Sequence, residues 1–211
     1  QDTTVLRFAR FELVRNQWRR YKQPLGEPGI VLGGGDGADE TIFDVNAVNV
    51  EENSEVSENR PFAYVLPEGI QREQNVGVFN FLQNEQSLSL RVENLKDGDA
   101  RAIFKNSNID LRVYERLKMF VHAEEVRGCA DELENGDMTI FMRIGSDFKN
   151  NYYEYEIPLQ LSDPDSIPPP SDNSRARLEY VRSVWLEDNE FDFPLELLRQ
   201  IKIERNNDPL G

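Results

Sequence analysis

Four stretches of the chain alternate apolar and polar residues with a period of two. They are residues 87–92, 117–124, 138–145 and 152–161. This period places successive side chains on opposite faces of an extended strand, whereas strands of a parallel sheet read as unbroken apolar runs. The pattern therefore predicts a mainly β, antiparallel domain, with Leu88 and Leu90 on the inward parity of the first strand.

Turn residues indicate how two of these strands are joined. The segment 145–151 is rich in Gly, Ser, Asp and Asn and connects strands of matching alternation, which predicts a hairpin with a long loop. Pro158 has no backbone N–H, so the second strand of this hairpin is predicted to lie at an edge or to carry a bulge.

The C-terminal part of the chain predicts one helix. Residues 184–186 around Trp185 are interpreted as a short strand. After Asp192 and Pro194, Leu195, Leu198 and Ile201 recur at helical spacing, so an amphipathic helix is predicted to begin near these residues. The predicted fold is an antiparallel β-sandwich of jelly-roll or galactose-binding-like type with one C-terminal amphipathic helix.

Breaks in the pattern divide the chain into three parts. Residues 1–23 are predicted to form a strand segment whose inward parity flips, and residues 24–42 are predicted to form a linker rich in Gly and Pro. Residues 43–211 form the sandwich domain, which includes a Pro-rich surface loop at 162–173. The first strand segment belongs either to a preceding unit or to this domain.

The segment 59–73 is the candidate interaction surface. It combines two prolines and Gly69 with apolar residues, which predicts an ordered but irregular backbone. Such a segment loses little entropy when it docks a neighbouring domain. The candidate residues are Phe62, Tyr64, Pro67, Gly69 and Ile70. The alternative is that these apolar groups pack on the domain's own sheet.

Charge and composition exclude several partners. The 211 residues contain 24 Lys and Arg against 39 Asp and Glu, and the net charge is −15. A nucleic acid or an anionic membrane surface requires clustered cations, so neither is predicted as a partner. No apolar run reaches the length of about 20 residues that a membrane helix needs, and no direct membrane span is predicted for this chain.

The sequence offers little catalytic chemistry. Single Cys and His residues, Cys129 and His122, exclude an internal disulfide and His-rich metal sites. No nucleophile elbow or phosphate-binding Gly-rich motif occurs, so no enzyme activity and no cofactor are predicted. A structural Ca²⁺ stays open, because carboxylates cluster in two loops: Asp36, Asp39 and Glu40 in one, and Asp163 and Asp165 in the other.

Exposed aromatic side chains leave a second function open. Trp18, Trp185 and the tyrosines near residue 153 are of the type that stacks on sugar rings. Tyr153 and Tyr155 fall on the apolar parity, whereas Tyr152 falls on the polar parity and is the exposed candidate. The alternative function is therefore a carbohydrate-binding β-sandwich module of a secreted or cell-surface protein.

Four long strings resemble a known family. They are NRPFAYVLPEGIQRE (59–73), NEQSLSLRVENLKDGDARAIFK (84–105), LKMFVHAE (117–124) and MRIGSDFKNNYYEYEIPL (142–159). They are similar to the SprA/Sov family, the gliding-motility and type IX secretion proteins of the outer membrane of Bacteroidetes. The opening and closing stretches resemble further blocks of that family.

The resemblance implies a section of a very large outer-membrane translocon that exports folded proteins and supports gliding motility. Its implied partners are other domains of the same chain and the plug and cargo-handling proteins of the secretion system. It implies a location in the cell envelope, associated with the outer membrane, on the cell surface or the periplasmic face. The family supplies no catalytic residues. The expected function is a non-catalytic structural and interaction domain.

Overall fold

The computed structural model of the chain describes residues 18–21, 25, 41–57, 60–75, 81–107, 109–126, 132–166 and 173–207. The chain divides into two compact units. Unit 1 consists of Gln1–Val45 and Arg91–Ile109, and unit 2 consists of Asn46–Leu90 and Asp110–Gly211. The three predicted parts at 1–23, 24–42 and 43–211 stay predictions, because residues 1–17 and 26–40 lie outside the described residues.

Strands dominate the described residues. The ten strands are β1 (Arg19–Arg20), β2 (Ile42–Asn49), β3 (Gln74–Asn75), β4 (Phe81–Leu82), β5 (Gln86–Glu93), β6 (Ile103–Phe104), β7 (Arg116–Met119), β8 (Thr139–Gly145), β9 (Tyr152–Pro158) and β10 (Phe191–Pro194). Two α-helices follow the main set of strands, α1 (Ser174–Val184) and α2 (Glu196–Asn207).

The described strands pair in twos. The pairs are β1 with β6, β2 with β5, β3 with β4, β7 with β10, and β8 with β9. The pairs with a defined register are antiparallel. The mainly antiparallel β class is therefore confirmed, whereas the sandwich or jelly-roll type stays a prediction.

The hairpin of β8 and β9 is confirmed. Its register pairs Thr139 with Pro158 at one end and Gly145 with Tyr152 at the other. In the connecting loop, the Asp147 carboxylate accepts three backbone N–H groups and the side-chain amide of Asn151. These hydrogen bonds favour the charged form, so they hold the pKa of Asp147 well below its usual range.

One apolar core, the sheet cluster, lies in unit 2 around β10. Phe191, Phe193 and Leu195 are buried. Half-buried side chains from the inward parities of β7, β8 and β9 pack against them, among them Leu117, Met119, Ile140, Met142, Ile144, Tyr155 and Ile157. The inward parities predicted for these three strands are therefore confirmed.

Asn189 ties the end of the hairpin to the residues before β10. It is fully buried, and its side-chain amide donates to the Gln160 carbonyl (2.8 Å) and accepts from the Gln160 N–H (2.7 Å). A buried amide with both ends bonded in this way fixes one arrangement of the two segments.

The C-terminal helix is confirmed, but its start differs from the prediction. Asp192 and Pro194 belong to β10 and pair with Lys118 and Arg116 of β7. The helix α2 begins two residues after Pro194. Because Asp192 forms ion pairs with both Arg116 and Lys118, it joins β10 to the sheet instead of capping a helix.

The prediction of a strand at 184–186 and of a single helix was wrong. The structure has α1 there, and Trp185 is its C-terminal capping residue. The Asn173 side chain accepts the N–H of Arg175 at the other end, which is an ordinary N-cap. Tyr180, Val181 and Val184 bury one face of α1, so tertiary packing overrides the strand propensity of Val184 and Trp185.

The inward parity predicted for β5 was also wrong. Leu88 and Leu90 are 39% and 44% exposed, whereas Ser87 and Ser89 are half-buried. On the inward face, the Ser87 hydroxyl forms a hydrogen bond of 2.7 Å with the Tyr64 hydroxyl. The serine face of β5 thus turns toward the irregular segment, and the leucine face turns outward.

Candidate functional site

The irregular segment after residue 60 is anchored on helix α1. Phe62, Ala63 and Val65 join Tyr180, Val181 and Val184 in a second apolar core of unit 2, which we call the helix cluster. The Tyr180 hydroxyl accepts the Ala63 N–H (2.8 Å) and donates to the Ala63 carbonyl (3.1 Å). One phenol therefore satisfies both backbone groups of a fully buried residue. The prediction of an ordered but irregular segment is confirmed for residues 60–73.

The segment then reverses direction in a tight turn. The Ile70 N–H donates to the Pro67 carbonyl (3.1 Å), and Gly69, at the third position of the turn, has a φ of 84°. A positive φ at this position is characteristic of a type II turn, which favours glycine. The turn presents Ile70 to the surface, with 44% of its area exposed.

We expect Gly69→Ala to lower the free energy of unfolding by about 1 to 2 kcal/mol, because a side chain at this φ is strained. No atom lies within 4 Å of the new methyl group, so a clash does not contribute. Urea unfolding measures the change. Gly69→Asn is the matched control, since asparagine tolerates a left-handed backbone, and it should lose clearly less. Equal losses for Ala and Asn would contradict this explanation.

The turn forms one wall of a surface groove, which we call the aromatic groove. Its cavity volume is about 210 Å³, and all its lining residues belong to unit 2. The apolar lining consists of Tyr64, Leu66, Pro67, Ile70, Phe120 and Trp185. The polar lining comes from the start of β5 and consists of Glu85, Gln86 and Ser87.

Hydrogen bonds and ring contacts fix the aromatic side chains. The Trp185 indole N–H donates to the Val65 carbonyl (2.9 Å), and the Tyr64 hydroxyl bonds the Ser87 hydroxyl (2.7 Å). The Tyr64 and Phe120 rings each meet Trp185 in an edge-on arrangement, with centroids 6.3 Å apart in both pairs. Because the polar ends are already bonded, the rings are held in place before any ligand binds.

The acidic groups near the groove differ in their partners. Glu68, in the turn, forms an ion pair with Arg182 of α1 (2.9 Å), and this hydrogen-bonded pairing lowers the pKa of Glu68. Glu85 lies in the groove wall and is half-buried, and its carboxylate has no ion-pair partner among the described residues. Glu85 is thus a negative charge available at the groove.

Ser162, His122 and Glu124 come together beside the helix cluster, but they do not form a catalytic arrangement. His122 Nδ1 lies 2.7 Å from the Val184 carbonyl oxygen, which only accepts, so Nδ1 carries a proton. Ser162 is buried, its hydroxyl donates to the Ser183 carbonyl, and its oxygen lies 3.4 Å from the same Nδ1. That nitrogen cannot take the serine proton. These contacts join the segments that follow β7 and β9 to α1.

The two predicted calcium loops differ in what the structure describes. Asp36, Asp39 and Glu40 lie outside the described residues, as does Cys129. Asp163 accepts the N–H of Asp165 in a local turn. Within the described ranges, no group of three or more His, Cys, Asp or Glu side chains is placed to hold a metal ion. A structural calcium ion stays a prediction.

The structure brings together three of the six predicted interaction residues. Tyr64, Pro67 and Ile70 line the aromatic groove. Phe62 is buried in the helix cluster, and Gly69 acts through the turn. Phe62 thus packs inside the domain, as the alternative for this segment predicted. Its partners include residues of α1, whereas the alternative named a sheet.

Tyr152 lies on a different surface. It is half-buried in β9, and the guanidinium of Arg143 covers its ring at 4.4 Å from the centroid. The same guanidinium bonds the Glu154 carboxylate (2.5 Å) and lies 5.0 Å from the Phe141 ring centroid. Tyr152 is thus part of a side-chain stack on the hairpin and does not line the aromatic groove.

Sequence reasoning missed six groove residues: Leu66, Glu85, Gln86, Ser87, Phe120 and Trp185. Phe120 carried a usable signal, since it is a large apolar residue on the polar parity of its strand. Trp185 was named among the aromatic candidates but was assigned to a short strand, whereas it caps α1. Glu85 gave no signal, because isolated glutamates are common in a chain with a net charge of −15.

These features describe a mainly antiparallel β protein that carries an aromatic surface groove. The family model SprA_N, described as motility related/secretion protein, matches residues 1–210. The chain belongs to this family, as the resemblance predicted. No curated protein matches the chain.

The family also bears on the location of the chain. A secretion-related family indicates association with the cell envelope. In the part of the chain that the structure describes, no helix has both the length and the apolar character needed to cross a membrane.

Proposed function

We propose that this chain is a non-catalytic structural and interaction section of an outer-membrane translocon for type IX protein secretion, required for protein export and gliding motility. The observation that carries the proposal is the family match over residues 1–210. The whole protein is proposed to be much longer than this chain and to belong to a member of the Bacteroidetes.

The aromatic groove supports an interaction role. Its rings are held by internal hydrogen bonds, and Ile70 at its rim is an exposed apolar residue on a rigid turn. Rigid aromatic side chains around a pocket are typical of the residues that dominate protein interfaces. The proposed partners are other domains of the same chain and the plug and cargo-handling proteins of the system.

The proposal requires no cofactor and no reaction. The bonded state of His122 and Ser162 supports the absence of nucleophilic catalysis at that place. A structural calcium ion would be compatible with the role. Chelation with EGTA tests for this ion, because removal of a required calcium ion would lower the melting temperature of the chain.

Carbohydrate binding remains the second candidate, now with weaker support. Its candidate Tyr152 is stacked under Arg143, so that ring face is not open to a sugar. Glycan-array binding that disappears in Tyr152→Ala would favour this second function. Glycan binding that persists in that variant would move the sugar site away from Tyr152, and no glycan binding would leave this second function without support.

Cell fractionation tests the proposed function. An antibody against this chain is used on fractions of the source cells, with and without protease treatment of whole cells. The proposal expects a signal in the outer-membrane fraction on a very large polypeptide. Protease sensitivity would then assign the chain to the cell surface, and resistance would assign it to the periplasmic face. A signal on a small secreted or soluble polypeptide would overturn the proposal.

A further inference from the structure

We propose that the aromatic groove receives an arginine side chain from a basic segment of a partner polypeptide. This inference rests on the proposed function, since it names the chemistry that the interaction surface recognises. It is drawn from the volume of the groove, from its aromatic rings, from Glu85 and from the charge of the chain.

The size of the groove points to a single side chain. A volume of about 210 Å³ is below the range of about 300 to 1,000 Å³ that pockets for small molecules occupy. One long side chain with its neighbouring backbone fits this space. The groove is therefore suited to a side chain that projects from a polypeptide.

The lining favours a cation that is also flat. Tyr64, Phe120 and Trp185 offer π systems, which attract a cation placed near the ring face. Glu85 in the same wall offers a carboxylate without an ion-pair partner among the described residues. A guanidinium interacts with both the rings and the carboxylate, because it stacks on aromatic rings and donates two parallel hydrogen bonds to a carboxylate.

The apolar wall matches the rest of the arginine side chain. Pro67 and Ile70 line the groove with uncharged, apolar side chains. The aliphatic stem of arginine packs well on such surfaces. The net charge of −15 adds a long-range attraction for a basic segment and speeds its encounter with the surface.

The experiment uses the two tryptophans of the chain as probes. The ¹⁵N-labelled 211-residue chain is titrated with N-acetyl-arginine amide at constant ionic strength, and the indole N–H signals are followed by NMR. Trp18→Phe identifies the Trp185 signal. N-acetyl-citrulline amide is the matched neutral ligand, since it keeps the shape of arginine without the charge.

Two variants locate the binding site. Glu85→Gln removes the groove carboxylate, and Glu132→Gln removes an exposed carboxylate that does not line the groove. We expect a saturable shift of the Trp185 signal with arginine and not with citrulline. Glu85→Gln should weaken binding about tenfold, because it removes a charge-assisted hydrogen bond, whereas Glu132→Gln should bind as the parent chain does.

Three results would overturn the inference: no arginine-dependent shift of Trp185, an equal shift with citrulline, or unchanged binding in Glu85→Gln. These results are distinct from failure of the proposed function. A negative titration together with an outer-membrane location on a very large polypeptide overturns the arginine site alone. A small secreted polypeptide in the fractionation overturns the translocon function, whatever the titration shows.

Discussion

Phe191→Ala should lower the free energy of unfolding by about 3 to 5 kcal/mol, which is the usual loss for a large buried aromatic residue. Phe191 is fully buried at the centre of the sheet cluster. Its ring lies 5.3 Å from that of Tyr155, which also stacks on Phe193 at 4.6 Å. Truncation leaves a cavity between β7, β9 and β10 that the paired strands cannot close. Urea unfolding followed by circular dichroism measures the loss.

Ile203→Ala is the control for this prediction. Ile203 lies on α2, is 45% exposed and belongs to neither apolar cluster. Its truncation should change the free energy of unfolding by no more than about 0.5 kcal/mol. A Phe191→Ala loss as small as that of the control would show that β10 does not hold the hairpin and β7 together.

Tyr180→Phe should cost about 2 to 4 kcal/mol, although it removes a single oxygen atom. The Ala63 N–H and carbonyl both bond this oxygen, and Ala63 is fully buried. Without the hydroxyl, the Ala63 N–H and carbonyl lose the Tyr180 oxygen as their hydrogen-bond partner, and water does not reach these buried groups. Tyr114→Phe is the matched control, since Tyr114 is 56% exposed, and it should leave stability unchanged.

Alkaline pH provides an independent test of Tyr180. Burial, assisted by the nearby negative charge of Glu124, raises the pKa of Tyr180 above its ordinary value of 10.0. The stability that follows from this shift is fully present below pH 10 and is lost as the pH rises through the raised pKa. The difference in unfolding free energy between the parent chain and Tyr180→Phe should therefore shrink above pH 10. A difference that stays constant to higher pH would contradict the buried hydroxyl.

Period-two alternation predicted the parts of the fold in which one face is buried. The inward sides of β7, β8 and β9 follow from Leu117, Ile140 and Ile157, because register in a half-buried strand is fixed by its apolar face. Alternation alone does not say which face meets the core. In β5 the polar face turned inward, where Ser87 bonds the Tyr64 hydroxyl, and the prediction failed.

Long-range contacts account for the other errors. Helix α1 is stabilised by Phe62 and Ala63, more than 100 residues earlier in the chain, and no local pattern reports this packing. The candidate site was predicted in part for the same reason. Proline and glycine marked the turn at Pro67 and Gly69, whereas the meeting of Phe120 and Trp185 with that turn depends on how the segments fold together.

The role of the aromatic groove is tested most directly in the cell. Ile70→Lys is introduced into the full-length protein, and export of secreted proteins and gliding are measured. Ile70 is 44% exposed, so the fold should persist, and the new ammonium group should occupy the groove beside Glu85. Ile203→Lys makes the same change of charge on an equally exposed residue of α2.

We expect Ile70→Lys to reduce export and gliding at normal protein levels, since replacing an apolar contact residue by an ammonium group weakens docking by about 2 kcal/mol, or roughly 30-fold. Ile203→Lys should export and glide normally. Normal export and gliding in Ile70→Lys, with the protein present in the outer membrane, would contradict the proposal that the groove is the interaction surface of this chain.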